Sequence, residues 1–207
     1  MFITFEGIEG SGKSTHSKWA KEYLQGKGFT VVHSREPGGT KLGEILRSIL
    51  LGKETAIVPF AEVLLFAADR VQHVEEIIRP ALKEGHIMIC DRYIDSTSAY
   101  QSGGRGLPQD WIKTLNQLST QGLIPDLTIL LDCQVDIGLM RARHKGGMPD
   151  RFESQNVAFY ERVRSGYLQI ARMDPGRVRV INSAGSPEVS RTQIAAILDE
   201  YLRRSGK

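Results

Sequence analysis

Residues 2–15 read FITFEGIEGSGKST, a largely apolar run that closes on Glu6 and opens into a glycine-rich loop. Gly7 and Gly12 stand five positions apart and are followed by Lys13 and Ser14. That spacing carries meaning when a strand precedes it and a helix follows, because the glycines let successive backbone N–H groups converge on an anion without a β-carbon in the way. The segment from Lys13 to Gly26 supplies the helix: Trp19, Tyr23 and Leu24 recur among lysines, and Gly26 and Gly28 are stop signals. A helix starting at the loop adds about half a positive charge at its first turn. The backbone of Gly7, Ile8, Glu9, Gly10, Ser11 and Gly12, with the side chains of Lys13, Ser14 and Thr15, is therefore read as a phosphate cradle. Lys13 would reach the β and γ phosphates of a nucleotide and Ser14 would ligate Mg²⁺. The loop identifies a ligand and leaves the task open, since motors, switches and kinases all use it.

Working outward, four further β-like runs follow: 30–34 (TVVHS), 86–90 (HIMIC), 127–132 (LTILLD) and 178–182 (VRVIN). Nearly continuous apolar strands separated by helix-length segments indicate an α/β protein with a five-stranded parallel sheet covered on both faces. Right-handed crossovers are expected. The longest helical candidate is 59–84, whose Val63, Leu64, Phe66, Val71, Val74, Ile78 and Leu82 spread over more than one face. Pro80 should bend or break it near its end. So much apolar surface needs a second partner, and a subunit interface is expected there. The segment 141–153 (RARHKGGMPDRFE) mixes five basic residues with two glycines and a proline, and reads as a short mobile lid on a single domain spanning 1–207.

Composition excludes several classes. With 41% hydrophobic and 25% charged residues, the chain lies outside the disordered, collagen-like and membrane classes. The formal charge of +3 gives no argument for a nucleic-acid partner. No basic start precedes an apolar leader, and no run of about 18 apolar residues occurs, so no membrane contact and a cytoplasmic location are expected. Cys90 and Cys133 each end an apolar run, as small buried hydrophobes do, which suits a reducing compartment. The histidines show no metal-site spacing.

Three constellations add chemistry. Asp91 and Arg92 follow the apolar run 86–90, at the strand end where parallel sheets bind ligands. Asp91 can hold the water shell of a metal, and the planar Arg92 fork suits a second phosphate. Phe66 and Arg70 lie four residues apart on one helical face, an aromatic surface beside a donor fork, which is a way to stack and read a nucleobase. In 96–106 (STSAYQSGGRG), Tyr100 and Gln101 could contact a base and its sugar.

Taken in order, FEGIEGSGKST, REPGGT, AEVLLFAADR, DRYIDSTSAYQ, GRG and PDLTILLD resemble the landmarks of bacterial thymidylate kinases, nucleoside monophosphate kinases that phosphorylate dTMP from ATP. The resemblance runs from about residue 2 to the terminal helix, and REPGGT and DRYIDSTSAYQ are its more specific parts. It implies a three-layer P-loop NTPase fold with a lid, Mg²⁺ as cofactor and a homodimer. It also implies that Phe66 stacks on thymine, that Arg70 hydrogen-bonds the base with help from Gln101 and Thr97, and that Arg92 holds the dTMP phosphate. Tyr100 would crowd the sugar 2′ position, Pro37 would line the acceptor site, and Glu9 would approach the sugar 3′-hydroxyl or the metal's waters. Members with an acid in the loop, here Glu9, carry the catalytic cation on the lid, where Arg143, Lys145 and Arg151 are the candidates and the two arginines rank ahead. Adenine contacts are implied near Arg141 and the turn at 182–190. Two alternatives stay open on the residues alone: a P-loop kinase for another nucleotide or deoxynucleoside, and a nucleotide-dependent switch.

Overall fold

A computed structural model describes residues 1–54, 56–144 and 150–204. Its centre is a five-stranded sheet in the order β2-β3-β1-β4-β5, every neighbouring pair parallel. The strands are β1 (Phe2–Glu6), β2 (Val31–Arg35), β3 (Ile87–Asp91), β4 (Leu127–Asp132) and β5 (Val178–Asn182). All five expected runs are strands; β2 and β3 sit one residue later than the apolar pattern suggests. The shift has a cause in the ladder, which pairs Asp91 with both Phe5 and Arg35, so the acid belongs to the strand instead of following it.

The helices are α1 (Lys13–Gly26), α2 (Lys41–Leu51), α3 (Pro59–His73), α4 (Arg79–Lys83), α5 (Ile94–Thr97), α6 (Gln109–Thr120), α7 (Val135–His144), α8 (Val157–Met173) and α9 (Pro187–Arg204). Alternate residues of β1 serve opposite faces, as a pleated strand requires. Ile3 and Phe5 join Ile87, Ile89, Leu127 and Ile129 against Ala20 and Leu24 of α1 and Ile194 and Leu198 of α9. Phe2 joins Met88 and Cys90 against Val74 and Ile78 on the other face. A third apolar cluster packs Leu130 and Val178 against α7 and α8. Both cysteines are free and buried. Among the described residues no helix is long and apolar enough to cross a membrane.

Two expectations are modified. Pro80 neither breaks nor ends the long helix: a π-helical turn (Val74–Ile78) joins α3 to α4. Proline lacks the N–H for the normal ladder and its ring crowds the carbonyl four residues back. The wider turn, in which the Arg79 N–H bonds the Val74 carbonyl, takes up that mismatch just before the proline. The segment 141–153 is not all loop, because α7 continues to His144 on the strength of Val135, Leu139 and Ala142, which are buried along one side. Lys145 lies outside the described residues.

Candidate active site

The parallel register brings the C-terminal ends of β1, β2 and β3 to one edge, so Glu6, Arg35 and Asp91 stand side by side there. This is the edge where open parallel sheets bind ligands, and one cavity opens on it. On one side it is lined by Glu9, Gly10, Gly12, Lys13 and Ser14 of the loop; on the other by Pro37, Phe66, Arg70, Thr97, Tyr100 and Gln101. Asp91, bonded to Ser14, and Arg92, bonded to both Glu9 of the loop and Tyr100 of the opposite wall, also line it.

The loop side is built as a cradle. Gly10 has φ +70°, and a β-carbon there would stand 1.9 Å from the Gly138 carbonyl oxygen of α7. No other residue permits that approach of two backbones. The first turn of α1 carries neither an acidic residue nor a side-chain cap, so its N–H groups are available to an anion. Ser11 Oγ is buried with no hydrogen-bond partner among the described residues. Lys13 is buried, and its ammonium donates to the Ile8 carbonyl at 2.8 Å with Glu9 at 3.9 Å. Burial first, and the Arg92 charge second, pull the Lys13 pKa down to about 8. Ser14 Oγ donates to Asp91 Oδ2. A hydroxyl against a carboxylate, both oxygen donors on the rim of a phosphate loop, is a donor set that suits Mg²⁺.

Arg92 is the hinge of the site. Its guanidinium pairs with Glu9 and donates to the Gly7 carbonyl at 3.1 Å, Ser96 Oγ at 3.1 Å and the hydroxyls of Tyr100 and Tyr167 at 3.2 and 3.3 Å. Burial opposes its charge, but Glu9, the two tyrosines and Asp91 outweigh that, and the pKa stands above the ordinary arginine range. Below it lies Glu6, fully buried at the end of β1, which accepts from the Tyr93 N–H at 2.7 Å, Ser96 Oγ at 2.6 Å and the Tyr167 hydroxyl at 3.0 Å. Burial, then the Asp95 charge, pushes the Glu6 pKa up to about 7, against Ser96, Arg92 and the Tyr93 N–H.

The opposite wall holds the base-reading candidates. Arg70 is 2% exposed; its Nε donates to Glu36 Oε2 at 2.8 Å and one terminal nitrogen to Asn116 Oδ1 at 3.1 Å. Glu36 is held in turn by His73 at 3.0 Å, and the Glu36–Pro37 peptide is cis. Tyr100 and Gln101 sit in a second π-helical turn (Ser98–Gly104), the kind of local irregularity that often marks functional positions. Burial pushes the Tyr100 phenol up, so it stays neutral. Phe152 closes the wall, its ring 6.0 Å from Phe66 and 5.8 Å from Tyr100.

Most of the sequence-derived residues gather around one cavity; Gly7, Ile8 and Ser11 belong to the loop without lining it, and Thr15, Arg143 and Arg151 lie outside the lining. Arg143 is exposed at the end of α7 and outside the cavity lining. Arg151 also lies outside the lining; it pairs with Glu62 at 2.6 Å and donates to the Leu50 carbonyl at 3.0 Å. Thr15 is exposed beside the loop. Arg141 donates to the carbonyls of Ser183 and Ala184, each at 2.7 Å, which joins α7 to the turn at 182–190. Glu6, Glu36, Glu62, Asn116 and Phe152 escape the sequence reading. Glu36 had a signal, an acid directly before Pro37 at a strand end. Glu62 and Asn116 are single polar residues on helices, and nothing local distinguishes them from solvated ones.

A thymidylate kinase family model matches residues 5–194. A curated thymidylate kinase of Trichlorobacter lovleyi is 49% identical over 99% of this chain and 98% of its own length. One of Desulfovibrio desulfuricans is 47% identical over 100% and 99%. The crystal structure of thymidylate kinase from Ehrlichia chaffeensis is similar to this chain with a TM-score of 0.78 at 38% identity, covering 96% of this chain and 98% of that one. With the loop, the strand-end Asp-Arg pair and the wall of Phe66, Arg70, Tyr100 and Gln101 on a β2-β3-β1-β4-β5 sheet, the chain belongs to the thymidylate kinase family.

Proposed function

We propose that the chain transfers the γ-phosphoryl group of ATP to dTMP, releasing ADP and dTDP, with the loop holding the donor and the wall of Phe66, Arg70, Thr97, Tyr100 and Gln101 holding the acceptor. The observation that carries this assignment of sides is that both line one cavity, with Arg92 bonded to Glu9 of the one and Tyr100 of the other. Phosphoryl transfer asks the protein for alignment and charge neutralisation, with little covalent work. Lys13 and the α1 N-terminus take the donor phosphates, and Ser11 Oγ gains in them the partner it lacks. Arg92 leaves Glu9 for the acceptor phosphate, and Glu9 is freed for the sugar. Ser14 and Asp91 would hold Mg²⁺, which supplies charge neutralisation at the β and γ phosphates when bound. No general base is required, because the acceptor phosphate is already an anion at neutral pH. Phe66 stacks on the base, Tyr100 stands against ribose, and Pro37 completes the acceptor wall.

The lid 141–153 supplies a further cation. Of the described candidates, Arg151 would have to exchange Glu62 for the phosphates, whereas Arg143 is already exposed. The exposed apolar residues of α2, α3 and α6 support a homodimer. The test is ADP release, measured with ATP and Mg²⁺ against dTMP, dUMP, dCMP, AMP and GMP. Turnover highest with dTMP is expected. Preference for a purine monophosphate would overturn the reading of the Phe66 and Arg70 wall.

A further inference from the structure

Selecting thymine over cytosine requires the site to present the right hydrogen-bond polarity. The thymine edge offers an N3–H donor between two carbonyl acceptors, and cytosine offers a bare N3 acceptor beside an amino donor. Arg70 can only donate. A glutamine is ambiguous, because its carboxamide presents a donor or an acceptor according to how it is turned.

In this structure the ambiguity is removed. Gln101 Nε2 donates to Glu62 Oε1 at 3.0 Å, and Glu62 is 1% exposed. A carboxylate is acceptor-only, so the amide nitrogen must face it and the amide oxygen must point elsewhere. Gln101 lines the cavity, and among the described residues nothing donates to its Oε1. Glu62 itself cannot turn. Its Oε1 also accepts Arg105 Nε at 3.2 Å, while Oε2 accepts a second Arg105 nitrogen at 3.1 Å and pairs with Arg151 at 2.6 Å. About four lone-pair directions exist on a carboxylate, and here all are taken.

We propose that Glu62 is a positioning residue that fixes the Gln101 carboxamide as an acceptor toward the base, and so sets the discrimination between the imide edge of thymine and the amidine edge of cytosine. The inference rests on Gln101 reading the base, as proposed above. Glu62 touches no substrate; it acts through Gln101. A site committed to one hydrogen-bond polarity rejects the wrong partner strongly, because the buried group is then left facing its own kind.

The experiment is a double-mutant cycle of Glu62→Gln and Gln101→Met, reading kcat/KM for dTMP and dUMP and the inhibition constant of dCMP as a competitor of dTMP. Glu62→Gln lets the amide at 101 turn over. It is expected to lower the preference for dTMP and dUMP over dCMP at least about tenfold, with the KM for ATP unchanged. Gln101→Met should lower the same preference, and adding Glu62→Gln to it should lower it no further. Because Arg105 and Arg151 need the charge, Glu62→Asp is the variant to read if Glu62→Gln does not fold; it keeps the charge and withdraws it from Gln101 by one methylene. A preference unchanged in the Glu62 variants but lowered in Gln101→Met overturns the role of Glu62 and leaves the base-reading role of Gln101 standing. A preference unchanged in Gln101→Met removes the reading on which the proposal rests.

Discussion

Arg92 has φ +73°, in the left-handed region that costs an ordinary residue about 1–2 kcal/mol. The strain is held by backbone bonds on either side: the Arg92 N–H donates to the Phe5 carbonyl at 3.0 Å and its carbonyl accepts from Cys90 Sγ at 3.0 Å. The twist turns the side chain that follows a buried strand back over the loop, onto the Gly7 carbonyl and Glu9. Two truncations separate the backbone from the guanidinium. Arg92→Ala and Arg92→Gly both lose every contact of the fork, and both are expected to lose at least about a hundredfold in kcat while still binding ATP. Arg92→Gly should be the more stable of the two by about 1 kcal/mol, because only glycine enters this conformation freely. Steady-state kinetics beside chemical denaturation measures both; unchanged kcat in Arg92→Ala would remove the role given to the guanidinium. Glu6 makes a prediction of opposite character. Its folded pKa of about 7 lies above the ordinary carboxylate value of 4.5, so the folded chain holds the proton more tightly. Its contribution is therefore fully present below pH 4.5 and is lost as pH rises through 7. Relative to Glu6→Gln, the wild type should lose up to about 3 kcal/mol between pH 4.5 and 8, read from unfolding curves of both proteins across that range. A constant difference would show that Glu6 is ionised throughout.

At the scale of elements, the site depends on how closely α7 approaches the loop. Gly10 and Gly138 meet backbone to backbone, and a β-carbon on Gly138 would stand 2.7 Å from the Glu9 carbonyl oxygen and 3.0 Å from Ile8 Cδ1. Gly138→Ala must therefore push α7 away from the loop or displace Glu9. Overpacking of this kind costs about 1–3 kcal/mol, which for a chain of this length lowers the melting temperature by several degrees. The catalytic effect should exceed the stability effect, with kcat/KM for ATP down at least about tenfold, since the phosphate contacts proposed above are made by loop backbone. A variant with normal kinetics would show that the loop tolerates the displacement. The glycine spacing of the loop is legible in sequence because it is local. Gly138 is not, since its reason is a loop more than a hundred residues away. The five strands are equally legible, as their apolar runs are nearly unbroken. The π-turn before Pro80 is not, because the proline signals only that a normal helix cannot continue, and burial of Val74 and Ile78 in the core is what keeps the chain helical. The same division runs through the site: Lys13, Asp91, Arg92 and the Phe66–Arg70 pair sit in recognisable local patterns, whereas Glu36, Glu62 and Asn116 matter only through partners 34, 39 and 46 residues distant.

On the scale of the whole molecule, α3 has two occupations. Its inner side supplies Phe66 and Arg70 to the cavity and Glu62 to Gln101 behind the wall, while Phe60, Leu64 and Val71 are 44%, 43% and 41% exposed on its outer side. On α2, which packs against α3, Leu42, Ile45 and Ile49 are 42%, 58% and 42% exposed, and α6 is met where the rings of Phe60 and Trp111 stand 5.4 Å apart. So many exposed apolar side chains on three neighbouring helices are more than a monomer usually leaves in water. A two-fold pairing of copies through this face would bury the same patch on each, as an isologous interface does. Light scattering at tens of micromolar protein is expected to give a mass twice the chain's 23.1 kDa, and Ile45→Glu combined with Leu64→Glu is expected to give 23.1 kDa. A wild-type chain that weighs in as a monomer would dismiss the interface. On this reading the helix that would pair is also the helix proposed to read the base, which couples the two functions in one element. The monomeric variant should therefore raise KM for dTMP more than KM for ATP, whose phosphates are assigned above to the loop and not to α3. Equal effects on both substrates would mean that α3 keeps its inner geometry without a partner, and that pairing serves stability alone.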